Sequence, residues 1–322
     1  MTDTQNKPKR DLICIGEAMG EFNAGRATPG SYLFGHGGDT SNCAIAAARQ
    51  GAASAYASAI GQDMAGRSLI KLWNEERVDT SLVITNASAP TGLYFVDHGE
   101  NGHEFSYLRA GSAASLYAPA DLPRQAIADA RIIHASGISQ AVSATACDAV
   151  FEAFDIARAQ GVMTSYDTNL RLKLWPLARA KAIIMAACAM ADIVMPGHDD
   201  AALLTGKTDP DAIIDVFLRL GAKVVALTLG AEGSAVATPD KRQRIPGIKV
   251  AAIDATGAGD AYDGAFLAEL MRGGDAFAAG RYANVAAALS TRGFGAVAAI
   301  PRRAEVEAHL AALSIAIPPK AI

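Results

Sequence analysis

The chain has 322 residues, 51% of them apolar, enough to bury one large core with at most a small appendage. A formal charge of −4 with no block of basic residues excludes a nucleic-acid or polyanion surface, although a small acid as substrate needs only one or two arginines. The polar opening MTDTQNKPKR carries no signal-peptide core, and no run of about 18 apolar residues is present to span a membrane, so the chain reads as cytoplasmic, with no membrane or nucleic-acid partner.

In chain order, residues 1–10 read as a flexible tail and 11–322 as one domain. LICIG (12–16) is a short apolar run closed by glycine, a buried strand. SNCAIAAARQG (41–51) offers Ser41 as N-cap, helix formers and a closing glycine, a helix. The alternation continues with strands at 54–60, 131–136, 162–167, 192–196 and 223–229. Helices follow at 63–76, 143–160, 176–190, 210–220, 259–272 and 275–291. Strand–helix alternation with apolar strands predicts an α/β fold, a mostly parallel sheet covered by helices on both faces, with ligands beyond the carboxyl ends of the strands.

Two stretches break the pattern. Residues 91–111 (TGLYFVDHGENGHEFSYLRAG) read as a hairpin turning at GENG, and 21–38 as strand and turn. Either these form a small β lid over the site, from about 17–36 and 91–111, or they are a plain edge hairpin. Cys14, Cys43, Cys147 and Cys188 are far apart in apolar surroundings with no CxxC pair, which reads as buried thiols in a reducing compartment.

Motifs for other chemistries are absent. The position after the first strand reads Gly16-Glu-Ala-Met-Gly20 instead of G-x-G-x-x-G; Gly206-Lys207-Thr208 lacks the upstream glycine of a P-loop, Ala201 standing there. The six histidines show no zinc spacing, and no G-x-S-x-G elbow exists. What remains is DATGAGDAYDG (254–264), a glycine turn that leads into a helix with an acid at its mouth. Asp260 has two readings there, a helix cap or a general base. Unpaired N–H groups and the helix dipole make such a turn attractive to phosphate, and a carboxylate beside a phosphate is a poor choice for a mere cap. Phosphoryl transfer suits both features, the acid taking a hydroxyl proton while the N–H groups hold the migrating group.

DATGAGDAYDGAF resembles the carboxyl-terminal signature of the ribokinase-like (PfkB) sugar kinases, with Ala255 at a position the family usually fills with Thr, and GGDTSNCAIAAARQG (37–51) resembles their amino-terminal glycine pair. Within that family, GGDTSN, TGLYF, YLRAGSAAS, HASGIS, YDTNLRLKLW and RGFGAVAAIPR are similar to the 2-keto-3-deoxygluconate kinases, which use MgATP to make the 6-phosphate. The resemblance implies Asp260 as base, with Gly257, Ala258 and Gly259 as anion hole. It also implies Gly38, Asn42, Tyr94, Tyr107, Arg109 and Arg171 as contacts to a small-molecule sugar acid. Thr228, Gly230 and Gly233 would lie beneath ATP, with Asn284 near the adenine. The family's N-x-x-E motif falls on Gly197-His-Asp-Asp200, so Asp200 is left to hold Mg2+ through water. Asp254 either caps the turn or helps to site K+, as in some relatives. The apolar hairpin implies a homo-oligomer joined through the lid. Two rival readings remain: the same chemistry on a related sugar, such as 2-keto-3-deoxygalactonate, 5-keto-2-deoxygluconate or fructose, and a non-catalytic sugar-binding regulator, which the intact GAGD argues against.

Overall fold

The computed structural model describes residues 10–25, 30–99 and 102–316. The tail at 1–9 and the tip of the GENG turn lie outside them. Thirteen strands and eleven α-helices are described. They run β1 (Leu12–Ile15), β2 (Met19–Ala24), β3 (Tyr32–Gly37), α1 (Asp39–Arg49), β4 (Ser54–Gly61), α2 (Met64–Glu75), β5 (Val83–Asn86), β6 (Leu93–Gly99) and β7 (Gly102–Leu108). Next come α3 (Arg124–Asp129), β8 (Ile132–Ser136), α4 (Gly137–Ala141), α5 (Ala144–Ala159), β9 (Met163–Asp167), α6 (Leu177–Cys188), β10 (Ile193–Met195), α7 (His198–Thr205) and α8 (Pro210–Leu220). The chain closes with β11 (Val224–Thr228), β12 (Gly233–Ala237), β13 (Arg242–Pro246), α9 (Ala258–Met271), α10 (Ala276–Ser290) and α11 (Arg303–Ala316).

The main sheet has nine strands in the order β13-β12-β11-β10-β9-β8-β1-β4-β5, parallel from β11 to β5 and antiparallel at the β11-β12-β13 edge. Strands buried on both faces need apolar residues at every position, and LICI is buried throughout. Its alternation splits two cores. Ile13 and Ile15 join Phe154, Tyr166, Ile184 and Phe217 on one face; Leu12 and Cys14 join Ile45, Tyr56, Trp73, Tyr262 and Phe266 on the other. All four cysteines are buried free thiols.

Local signals set the helix ends. Asp209 accepts the Ala212 amide, Pro210 opens α8, and Gly221 ends it in the left-handed region, so that Ile213, Ile214 and Phe217 face the core. Ser143 and Asp275 cap α5 and α10 in the same way. Ser41 does not cap α1. The helix starts two residues earlier, after Gly38, and the Ser41 hydroxyl instead accepts the Trp73 indole N–H at 2.8 Å.

The two irregular stretches form a separate sheet, β3-β2-β6-β7. One of its faces carries Met19, Tyr94, Phe105 and Tyr107 toward the main cavity; the opposite face stacks Phe22 on Phe95 with Phe34 edge-on. The lid reading therefore holds over the edge-hairpin one. No helix among the described residues is long and apolar enough to cross a membrane.

Candidate active site

The glycine turn places α9 with its N-terminus at the carboxyl ends of the parallel strands. Gly257 is the N-cap at φ 76, a conformation an L side chain resists, and no side chain caps the helix. Asp260 lies in the first turn with its carboxylate accepting from Asn42 Nδ2 at 2.8 Å, so the cap reading of Asp260 falls. Close packing makes that contact possible. At Gly264 a Cβ would sit 2.4 Å from the Cys43 carbonyl and 2.5 Å from Ala46 Cβ, so only glycine lets α9 approach α1 this nearly. The Ala258 amide is taken by the Ala255 carbonyl at 3.1 Å. The amides of Gly257 and Gly259, by contrast, have no backbone acceptor among the described residues. Of the three expected anion-hole residues, then, the two glycines carry the available donors.

Burial pushes the Asp260 carboxyl up to about 7, helped by the charge of Asp39 and opposed by the Asn42 hydrogen bond and the Arg171 charge. Asp167 and Asp263 are raised too, by burial first, then by the charges of Asp39 and Asp260 on Asp167 and of Asp167 and Asp260 on Asp263. Asp39, Asp167 and Asp263 lie in GGDTSN, YDTNLRLKLW and DAYDG, motifs that by themselves give these three acids no role. Asp39 accepts from Ser136 Oγ at 2.5 Å and Asn169 Nδ2 at 2.9 Å. Its Oδ1, like Asn42 Oδ1, is buried without a partner among the described residues. Both residues line the cavity, so each brings to its wall an acceptor oxygen without a protein donor among the described residues.

That cavity, about 730 Å³, runs under the lid and is walled by Tyr94, Phe105, Tyr107, Arg109, Arg171 and Asp260. Tyr94 is buried and donates to Glu21; its ring and that of Tyr107 stack at 5.9 Å. Arg109 departs from expectation. Its Nε donates at 2.7 Å to Glu17, its Nη2 pairs with the same oxygen, and Ser112 holds the other oxygen at 2.6 Å. Glu17 is 1% exposed and, despite Arg109 and Ser112, burial raises its carboxyl. The charge of Arg109 is therefore met inside the protein, and the premise that both arginines await an external anion fails for it. Arg171 differs: among the described residues its side chain donates to the Leu170 carbonyl at 3.4 Å, and no carboxylate pairs with it within 4.0 Å. Lys173 lines the same wall, its ammonium 5.9 Å from the Phe105 ring.

A second hollow of about 510 Å³ shares Gly197, Asp200 and Thr228 with the first and continues past Gly230. Gly233 lines neither hollow; its carbonyl accepts the Leu229 amide and closes the turn that carries Gly230. Asn284 also lies away from both. Its amide donates to the carbonyls of Ile245 and Pro246 at 3.1 and 3.3 Å, fastening β13 to α10. At the N-x-x-E position Gly197 caps α7 and Asp200 accepts the Leu170 amide at 2.9 Å, holding the turn that carries Arg171. No cluster of three metal-ligating side chains occurs among the described residues. Asp200 lines both hollows, a carboxylate at their junction. Asp254 accepts from the Thr256 amide and hydroxyl on one oxygen and from the Gly295 amide on the other, so it ties two loops together.

The profile described as "pfkB family carbohydrate kinase" matches residues 9–303. A 2-dehydro-3-deoxygluconokinase of Thermoproteus tenax is 34% identical over 313 residues, 94% of each chain. A fructokinase of Oryza sativa is 31% identical over 312 residues, 92% of this chain and 96% of its own. The crystal structure of a Xylella fastidiosa fructokinase with bound ATP superposes at a TM-score of 0.88, 26% identical, over 95% of this chain and 99% of its own.

Proposed function

This chain belongs to the pfkB family of carbohydrate kinases, and from that premise we propose that it phosphorylates the terminal hydroxyl of 2-keto-3-deoxy-D-gluconate with ATP, giving the 6-phosphate. Asp260 takes the hydroxyl proton. Its raised carboxyl is matched to a base working near neutral pH, and Asn42 aims it. The oxygen attacks the γ-phosphoryl group, whose developing charge is met by the Gly257 and Gly259 amides at the positive end of α9. Mg2+ would neutralise phosphate charge, with Asp200 contributing through water. Tyr94, Phe105 and Tyr107 cover the sugar and keep out water, a competing acceptor of the phosphoryl group.

The observation carrying the acid-sugar reading is Arg171, a guanidinium on the cavity wall beside Asp260 with no ion pair within 4.0 Å among the described residues. A planar guanidinium pairs with a carboxylate through two parallel bonds. Because Glu17 already compensates Arg109, a neutral sugar is the second reading, and the similarity to fructokinases supports it. A panel of 2-keto-3-deoxygluconate, 2-keto-3-deoxygalactonate, 5-keto-2-deoxygluconate, fructose and ribose, with coupled ADP detection, decides between them. Equal kcat/KM for fructose and the keto acid would refute the acid reading. Leu33 on β3 and Leu108 on β7, the two edge strands of the lid sheet, are 71% and 63% exposed and support pairing of two cytoplasmic copies through the lid.

A further inference from the structure

The loop from Gly293 to Pro301 has no regular secondary structure and is built mostly of glycine and alanine, which offer no side chains to hold it. An internal backbone hydrogen bond runs from the Ile300 amide to the Val297 carbonyl at 3.2 Å. Yet Ala296 in this loop is the wall behind the anion hole. A Cβ placed on Gly257 would fall 2.8 Å from Ala296 Cβ and 3.0 Å from its carbonyl oxygen. Something outside the loop must fix it. At the front, Asp254 accepts the Gly295 amide at 2.9 Å. At the rear the tie is Arg49.

Arg49 is the last residue of α1, the helix whose first turn presents Asp39 and Asn42. Its side chain is 8% exposed. Nε and Nη2 lie flat on Glu76, at 2.8 and 2.7 Å, which fixes the plane of the guanidinium. Nη1 then points into the loop and donates to the carbonyls of Val297 at 3.0 Å, Ala298 at 3.5 Å and Ile300. The neighbouring Gln50 donates to the Pro301 carbonyl at 2.8 Å. One helix thus presents the substrate acceptors at its start and grips the anion-hole wall at its end.

We propose that Arg49, oriented by Glu76, is a positioning residue for phosphoryl transfer: it clamps 297–300 and so holds Ala296 against Gly257 and the Gly257 and Gly259 amides in register with Asp260. The proposal rests on the reading of those amides as the anion hole. A lysine at 49 keeps the charge beside Glu76 but cannot also span three carbonyls. A displacement of about 1 Å at reacting groups costs up to roughly 100-fold in rate. Arg49→Lys is therefore expected to lower kcat by about 10- to 100-fold while leaving KM for the sugar unchanged. In Arg49→Ala, low-millimolar guanidinium should restore part of the lost kcat by filling the vacated space.

The measurements are steady-state kcat and KM by ADP detection, with Tm and circular dichroism for folding. If Arg49→Ala does not fold, Arg49→Lys carries the test. A lowered Tm with wild-type kcat in Arg49→Lys, or a folded Arg49→Ala whose kcat guanidinium cannot raise, overturns the proposal. Gly257→Ala separates the two readings. If it leaves kcat intact, the anion-hole reading fails and the clamp with it; if it lowers kcat while Arg49→Lys does not, only the clamp fails.

Discussion

Asn42→Ala tests how the base is tuned. In the protein, Asn42 Nδ2 donates to Asp260 at 2.8 Å, and this bond pulls the carboxyl down against burial and the Asp39 charge, leaving it at about 7. A hydrogen bond to a charged group contributes about 1.5–3 kcal/mol, and one pKa unit corresponds to about 1.4 kcal/mol, so its loss raises the carboxyl by roughly 1–2 units. The sign follows from the bond favouring the ionised form. Since the base must be ionised, kcat/KM for the sugar should rise with pH through an inflection that moves from near 7 to about 8–9 in the variant. At pH 7 the ionised fraction then drops by about 5- to 50-fold, and the loss should shrink as pH rises above 7, to about twofold or less by pH 9. The assay is kcat/KM against pH with ATP saturating; ionisation of ATP is common to both enzymes and cancels in the comparison. A uniform loss at every pH, with the inflection still near 7, would mean that Asn42 serves only the substrate and that Asp260 is tuned by other groups.

Asp260→Asn should lower kcat by about 10²–10⁴-fold with substrate binding retained, and a residual rate above a tenth of wild type would remove Asp260 as base. The same variant should melt higher than wild type at pH 8 and by less at pH 5. Ionising an acid whose folded pKa is raised costs stability as pH climbs from the unfolded value toward about 7. Arg171→Met should raise KM for the keto acid by roughly 10- to 150-fold with ATP's KM unchanged; an equal rise for fructose would refute a carboxylate partner. Arg109→Met should instead lower Tm by removing the partner of buried Glu17 and should weaken acid and neutral sugars alike, an outcome checked by melting and by the substrate panel. Light scattering at micromolar concentration should give a dimer mass that falls to the monomer in Leu33→Glu or Leu108→Glu, whereas a monomer in the wild type would refute pairing through the lid.

The parallel core was legible because its strands are continuous apolar runs and its helices carry caps such as Asp209 and Asp275. Strands β5, β12 and β13, toward the two ends of the sheet, were not: four or five residues of mixed polarity leave no period to read. Helix α11 had a signal, the spacing of Val306, Leu310 and Leu313, that went unused. At the site, Asp260 and its glycines announce themselves by local composition. Glu17 does not, because its significance is a pairing with Arg109 across 92 positions that no local pattern encodes. The hydrogen bonds of Asn284 are hidden for the same reason: a buried amide binding two carbonyls of β13 cannot be told from a ligand contact until the strand beside it is known.

The four-stranded lid has a consequence for how such a chain diversifies. Every group assigned here to moving the proton or the phosphoryl group sits on the nine-stranded body, at the start of α9 or in the loops around it. The lid contributes ring faces and Arg109, which is anchored to the body by Glu17. Substitutions on the lid therefore change which sugar is retained without altering the machinery that phosphorylates it, and a lineage can try new substrates while staying a working kinase at each step.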